Sequence, residues 1–311
     1  MATFFLREGE ILRNNVEIVD VSLRDGIQNE KRTLSVDTKL ELLKGIIGAG
    51  ARRVEITSFV NPKKVPQMAD AEEICARLPR DGMRYIGLVL NHRGFLRAQV
   101  AGVDEINYAI VLSDTFSQRN QGMTTEEGIA QWRDIAAGAK GRQKTNVTFA
   151  AGFGCPFEGE VPVSRLTWVL DKVMETAPDE LTLADTIGVA SPRDVTERVA
   201  AVRERYPDLP IRLHLHNTRN TGLANAWAGF EAGVRSFDAA LGGVGGCPFA
   251  PRATGNVPSE DLVYMFERSG ITTGYDLDKA IETAKALEEA VGHTVPGMLM
   301  KAGGFPKPQT A

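Results

Sequence analysis

The sequence predicts an α/β fold, a closed (β/α)8 barrel with an extra C-terminal helix and tail. Three observations carry that reading. Eight short apolar runs rich in β-branched and aromatic residues recur along the 311 residues. Helical patterns with start and stop signals lie between them. No low-complexity linker interrupts the alternation. Strict βα alternation implies a parallel sheet with right-handed crossovers, and eight such units of about 250 residues in all fit a closed barrel. A doubly wound open sheet is the rival arrangement.

The strands are expected in order at "VEIVDVSL" (16–23), "RRVEITSF" (52–59), "RYIGLVL" (84–90), "EINYAIVLS" (105–113), "NVTFAAGF" (146–153), "ELTLADT" (180–186), "IRLHLHN" (211–217) and "SFDAALGG" (236–243). Between them, Ser35 opens a helix that Gly50 ends. Thr124 and Glu127 have capping-box spacing, Ser164 opens "RLTWVLDKVMETA", and Ser191–Pro192 supplies an N-cap followed by proline at the first helical position. "TGLANAWAGFEAG" and "SEDLVYMFERSG" complete the set. Several helices stop at Ala-Gly before the next strand, the usual αβ exit. Residues 1–275 are expected to form the barrel. Residues 276–311 are expected to add a helix over 276–292 and then a loop or tail.

Hydrophobic content of 43% and charged content of 24% are globular values. The formal net charge is −4 and the basic residues are scattered, which excludes a nucleic-acid footprint and a polybasic membrane patch. No apolar run reaches the roughly 20 residues that span a bilayer, and "MATFFLREGE" lacks the basic start of a signal peptide. Cys75, Cys155 and Cys247 are odd in number and far apart, against a disulfide framework and for a reducing compartment. The expectation is a soluble cytoplasmic protein.

In a (β/α)8 barrel, chemistry sits at the C-terminal ends of the strands. There the sequence places Arg24, Asp25 and Gln28 after the first strand, Glu55 and Ser58 on the second, and Asp185 on the sixth. His214, His216, Asn217 and Arg219 follow on the seventh, and a loop with Cys247 and Asn256 follows the eighth. On a strand, residues two apart face the same way. Leu213 and Leu215 then point to the helices, and His214 and His216 into the barrel mouth. Two imidazoles and a carboxylate make a common divalent-metal set. Asp25 is the best-placed carboxylate, because a closed barrel brings its first and last strands together. Asn256 can add an amide oxygen. Mixed nitrogen and oxygen ligation suits Mg²⁺ or Mn²⁺, and Zn²⁺ less well.

Arg24 beside Asp25 can stabilise a developing enolate oxygen, or serve as an ion pair that orients Asp25. Asp185 and Glu55 are candidate general bases or orienters of the metal ligands. Cys247, on a glycine-rich loop, is either a reachable proton donor or a small apolar filler. Cys75 and Cys155 read as fillers, and His92 and His293 as surface or loop residues without matching partners.

Six separated blocks, in order, carry a resemblance: "LRDGIQNEKRTLSVDTKLELL", "VEITSFVNPKKVPQMAD", "GCPFEGEV", "LADTIGVASP", "HLHNT…LANAWAG" and "GGVGGCPFAPRATGNVPSEDLVYM". Over about residues 16–275 the chain resembles the 3-hydroxy-3-methylglutaryl-coenzyme A (HMG-CoA) lyases, within the metal-dependent lyase and Claisen-type synthase superfamily on a TIM barrel. The resemblance implies metal ligation by Asp25, His214, His216 and Asn256. It implies that Arg24 polarises a thioester carbonyl and that Cys247 protonates the enolate. Glu55 and Asp185 fall on acidic active-site positions, Gln28, Ser58 and Thr182 on substrate-side positions, and Lys31 where the nucleotide part of CoA approaches. A CoA thioester as substrate, and a homodimer, follow only by analogy.

Two departures bear on specificity. The family usually reads Asp-Thr-Tyr-Gly after the second histidine, and here the residues are Asn217, Thr218, Arg219 and Asn220. An arginine at the mouth can clamp a substrate carboxylate, which makes Arg219 a substrate-binding candidate. "VSLRDG" in place of Gly-Pro before Arg-Asp is closer to the synthases. The expected activity is cleavage of HMG-CoA or a related 3-hydroxyacyl-CoA to acetyl-CoA and a keto acid. The alternatives are a Claisen-type synthase or 4-hydroxy-2-oxoacid aldolase, and an inactive barrel used for binding.

Overall fold

A computed structural model describes residues 14–246 and 255–306. Eight parallel strands close on themselves: β1 (Glu17–Asp20), β2 (Arg53–Ser58), β3 (Arg84–Val89), β4 (Glu105–Val111), β5 (Lys144–Ala150), β6 (Glu180–Asp185), β7 (Ile211–Leu215) and β8 (Ser236–Ala239). Each pairs with the next, and β8 returns to β1 with Glu17 beside Ser236 and Asp20 beside Ala239. All eight fall inside the expected runs, except that β5 begins two residues earlier, at Lys144. β7 stops at Leu215, so His216 lies just past the strand in an isolated bridge with Asn256.

Three of the four expected caps start their helices. In α1 (Val36–Gly48) Ser35 accepts the Thr38 N–H at 3.1 Å. The next three helices are α2 (Ala71–Ala76), α3 (His92–Ala101) and α4 (Asp114–Gln121). Asn91 and Ser113 cap the last two through Gly94 N–H and Phe116 N–H. α5 (Thr125–Ala139) starts with a reciprocal Thr124–Glu127 capping box. α6 (Val163–Val173) begins one residue before Ser164, and Pro162 occupies the cap position without a side-chain bond. The expectation that Ser164 opens this helix is therefore corrected: the fixed φ of Pro162 sets the entry. α7 (Pro192–Arg205) has the Ser191–Asp194 box and proline at its first turn. α8 (Gly222–Glu231) and α9 (Ser259–Arg268) follow.

The expected C-terminal helix is α10 (Leu277–Val291), capped by Asp276. It packs on α1 at close range. A Cβ at Gly45 would come within 2.5 Å of the Thr283 side chain, so the missing side chain allows the approach. The segment expected as loop or tail contains one short helix, α11 (Leu299–Ala302). Asp261 caps it by accepting the Met298 and Leu299 N–H groups.

Polar layers interrupt the barrel interior. At the N-terminal end, Arg53 reaches Glu105, Glu180 and Glu17. The charge balance there serves stability, since the opposite end carries chemistry in this architecture. The apolar face of the strands and the inner faces of the helices form one continuous core that includes Leu213, Val195, Phe237 and Phe266. Among the described residues no helix is long and apolar enough to cross a membrane.

Candidate active site

The C-terminal ends of the strands open into a cavity of about 610 Å³. Its floor is built from Arg24, Asp25, His214, His216 and Asp238. Its walls take Asn107 and Thr148, and Lys64 and Arg119 stand among its remaining lining residues. Arg24 and Asp25 come from a single π-helical turn, Ser22–Gly26, immediately after β1. Such widened turns are frequent at functional sites.

Asp25, His214 and His216 each offer one ligand atom, and these atoms all lie within 4.8 Å of one another. The two imidazole Nε2 atoms are 3.2 Å apart. Asp25 Oδ2 is 3.8 Å from His214 Nε2 and 3.5 Å from His216 Nε2. Burial alone would raise the Asp25 carboxyl. The Arg24 guanidinium and the two imidazoles outweigh it and hold Asp25 well below the usual carboxylate range. Burial opposes charge on His214 too, but its hydrogen bond to Asp238 and the nearby Asp25 raise its pKa.

The donor set fits a divalent cation. Two imidazole nitrogens and an ionised carboxylate converge within reach of a single ion. Asn256 stands beside them. Its Nδ2 donates to Asp25 Oδ2 at 2.9 Å and to Val244 O at 3.0 Å. Its Oδ1 is buried with no hydrogen-bond partner, and a buried amide oxygen without a donor is a costly group that a cation would satisfy.

Arg24 is clamped from two sides. Its Nε donates to Glu55 Oε2, and its Nη1 donates to Asp25 Oδ1 at 2.6 Å. Glu55 is fully buried and takes a second bond from Asn107 Nδ2 at 2.6 Å. Its carboxylate is therefore used to hold Arg24 and Asn107, and it is not among the residues that line the cavity. Gln28 lines the cavity and accepts from Ser58 Oγ at 3.2 Å, so Ser58 acts from behind it. Thr182 lies deeper inside the barrel, between Asn146 and Arg212.

Asp185, Arg219 and Lys31 are also absent from the cavity lining. Asp185 directs both oxygens to its own loop, accepting Val189 N–H at 2.9 Å and Ala190 N–H at 3.0 Å. Burial raises its pKa and those two bonds offset part of the rise. Arg219 turns away from the mouth, donating to Ile187 O at 3.0 Å and Gly188 O at 2.8 Å. Lys31 is exposed and outside the cavity lining. Cys247 lies outside the described residues. Cys75 and Cys155 are buried, and burial pushes the Cys75 thiol up to about 12, as suits an inert filler. His293, expected without a partner, meets Glu30 at 2.7 Å.

Asp238 and Asn107 escaped the sequence reading. Asp238 was visible as one acid in the apolar run of β8, a signal of the same kind as Glu55 on β2. Its register partner on β7 is His214.

Comparisons with known proteins show the family. The family model HMGL-like matches residues 15–287. The (R)-citramalyl-CoA lyase of Chloroflexus aurantiacus is 42% identical over 93% of this chain and 95% of that protein. The hydroxymethylglutaryl-CoA lyase YngG of Bacillus subtilis is 36% identical over 90% of this chain and 95% of that protein. Among solved structures, an HMG-CoA lyase from A. baumannii in complex with coenzyme A and 3-methylmalate superposes with a TM-score of 0.90 at 39% identity, covering 95% of this chain and 99% of that one. With the family model spanning the barrel and both relatives matched almost end to end, the chain belongs to the HMGL-like family, as a carbon–carbon lyase.

Proposed function

We propose that this lyase cleaves the CoA thioester of a 3-hydroxy-3-methyl dicarboxylic acid, citramalyl-CoA or HMG-CoA, to acetyl-CoA and a keto acid, with Mg²⁺ or Mn²⁺ held by Asp25, His214, His216 and Asn256. The observation that carries the reading is the convergence of Asp25 with the two imidazoles beside Arg24 on the cavity floor. The 42% identity to a citramalyl-CoA lyase supports the shorter acyl group.

The reaction breaks the C2–C3 bond. The tertiary hydroxyl gives up its proton, C3 becomes a ketone, and the bonding pair passes to C2 as the enolate of acetyl-CoA. A divalent cation held by Asp25, His214, His216 and Asn256 would supply Lewis-acid chemistry to the substrate oxygens. Arg24 is placed to take the charge that develops on the thioester oxygen, because Glu55 and Asp25 fix its guanidinium before substrate arrives. Both Asp185 oxygens accept backbone N–H groups and Asp25 is held well below the usual carboxylate range, so an imidazole at the floor is the proposed acceptor of the hydroxyl proton. Cys247 is the proposed acid that protonates C2.

The test is turnover of both thioesters by purified protein with Mg²⁺ or Mn²⁺. Citramalyl-CoA should release pyruvate and HMG-CoA acetoacetate. Release of neither, with condensation of acetyl-CoA and a 2-oxo acid instead, would replace this reading with the synthase one.

A further inference from the structure

We propose that Asp238 is the positioning residue that presents His214 Nε2 to the cation, with Arg212 holding Asp238 from behind. This rests on the metal reading above and adds a residue to it. The strand register carries the argument. His214 on β7 stands opposite Asp238 on β8, and Arg212, two residues before His214, shares its face. His214 Nδ1 is 3.0 Å from Asp238 Oδ2, and Arg212 Nε stands 3.4 Å from Asp238 Oδ1 as an ion pair, not a hydrogen bond.

An ionised carboxylate can only accept. His214 Nδ1 must then carry the proton and Nε2 the lone pair. Nε2 is the nitrogen that faces His216 Nε2 and Asp25 Oδ2. His216 gives the contrast, because its Nδ1 is buried with no hydrogen-bond partner. Of the two imidazoles, His214 alone has its outer nitrogen tied to a charged group.

Arg212 also anchors a chain of bonds that runs round the barrel interior. Its Nε donates to Thr182 Oγ1 at 2.9 Å, Thr182 donates to Asn146 Oδ1 at 2.9 Å, and Asn146 Nδ2 donates to Asn107 Oδ1 at 2.7 Å. Reversing the Asn146 amide would give its oxygen the Arg212 Nη2 donor but set it 2.7 Å from Asn107 Oδ1. Asn107 Oδ1 cannot turn away, because Asn107 Nδ2 is committed to the Glu55 carboxylate. Glu55 then holds Arg24, and Arg24 holds Asp25. The chain thus starts at the residue behind one ligand and ends at another ligand.

Mn²⁺ titration followed by electron paramagnetic resonance tests the assignment. Metal-free Asp238→Asn protein should bind Mn²⁺ about 10–100-fold more weakly than wild type, with turnover recovering at saturating Mn²⁺. Equal Mn²⁺ affinity with turnover lost would overturn the proposal and make Asp238 a group that acts on substrate. Wild-type protein that binds no Mn²⁺ would remove the metal reading and this inference with it. Nitrogen-15 histidine spectra of the wild-type protein with Mg²⁺ give a second readout that needs no variant. His214 should carry its proton on Nδ1, and a proton on Nε2 would overturn the proposal.

Discussion

Glu55 Oε2 accepts the Nε–H of Arg24, and that bond fixes the guanidinium so that Nη1 reaches Asp25. The arrangement separates two roles for Glu55. If it only positions Arg24, Arg24→Met should lower kcat by about 10²–10³-fold, as removal of an oxyanion donor does, and Glu55→Gln should fall between that variant and wild type. Steady-state kcat on the better thioester decides the order. A Glu55→Gln loss equal to or greater than that of Arg24→Met would make Glu55 a proton-transfer group in its own right.

The cluster of Asp25 with two imidazoles predicts a division between binding and chemistry. His216→Ala should abolish Mn²⁺ retention on gel filtration, because it removes one of three convergent ligands. Cys247→Ala should retain Mn²⁺ and lose orders of magnitude in turnover. Near-normal rates in Cys247→Ala would take the thiol out of the mechanism.

Arg219 tests what its position means. Its guanidinium bonds the carbonyls of Ile187 and Gly188, so its work is to hold the loop between β6 and α7. Arg219→Ala should leave the ratio of kcat/KM for the two thioesters unchanged while costing about 1 kcal/mol of stability. A shift in that ratio, with stability intact, would return Arg219 to the substrate.

How much was legible follows from which distances a sequence carries. His214 and His216 are two apart where β7 ends, so their shared face could be read directly, and so could the meeting of the first and last strands at Asp25. Caps such as Ser191 with Asp194 are local, and they mark helix starts without tertiary information. Asp238 could not be assigned in the same way, because its role depends on register with a different strand. Asp185 was placed on the correct strand end, but its use depends on how the following loop folds back to offer two N–H groups. Arg219 follows the histidines closely in sequence. Asn220, at φ of 59°, marks the turn beside it, and the arginine ends against the neighbouring loop instead of the cavity.

Glu260, the second residue of α9, predicts a pH dependence of stability. It is fully buried. Oε2 accepts the Gly242 N–H at 3.0 Å, and Oε1 has no hydrogen-bond partner. Burial, with Asp261 and Asp20 nearby, pushes its pKa up to about 8 from an ordinary 4.5. A carboxyl raised on folding binds its proton more tightly in the native state. Its contribution is therefore fully present below about pH 4.5 and is lost as pH rises through about 8. Glu260→Gln keeps a neutral group of the same shape and removes that slope. Urea unfolding at about pH 5, 7 and 9 should show the variant close to wild type at the lowest value and more stable at the highest, by on the order of 4 kcal/mol. Asp20, raised to about 7 by burial, keeps a share of the slope in both proteins. Parallel stability curves for wild type and Glu260→Gln would show that Glu260 ionises in the folded protein much as it does in the unfolded chain.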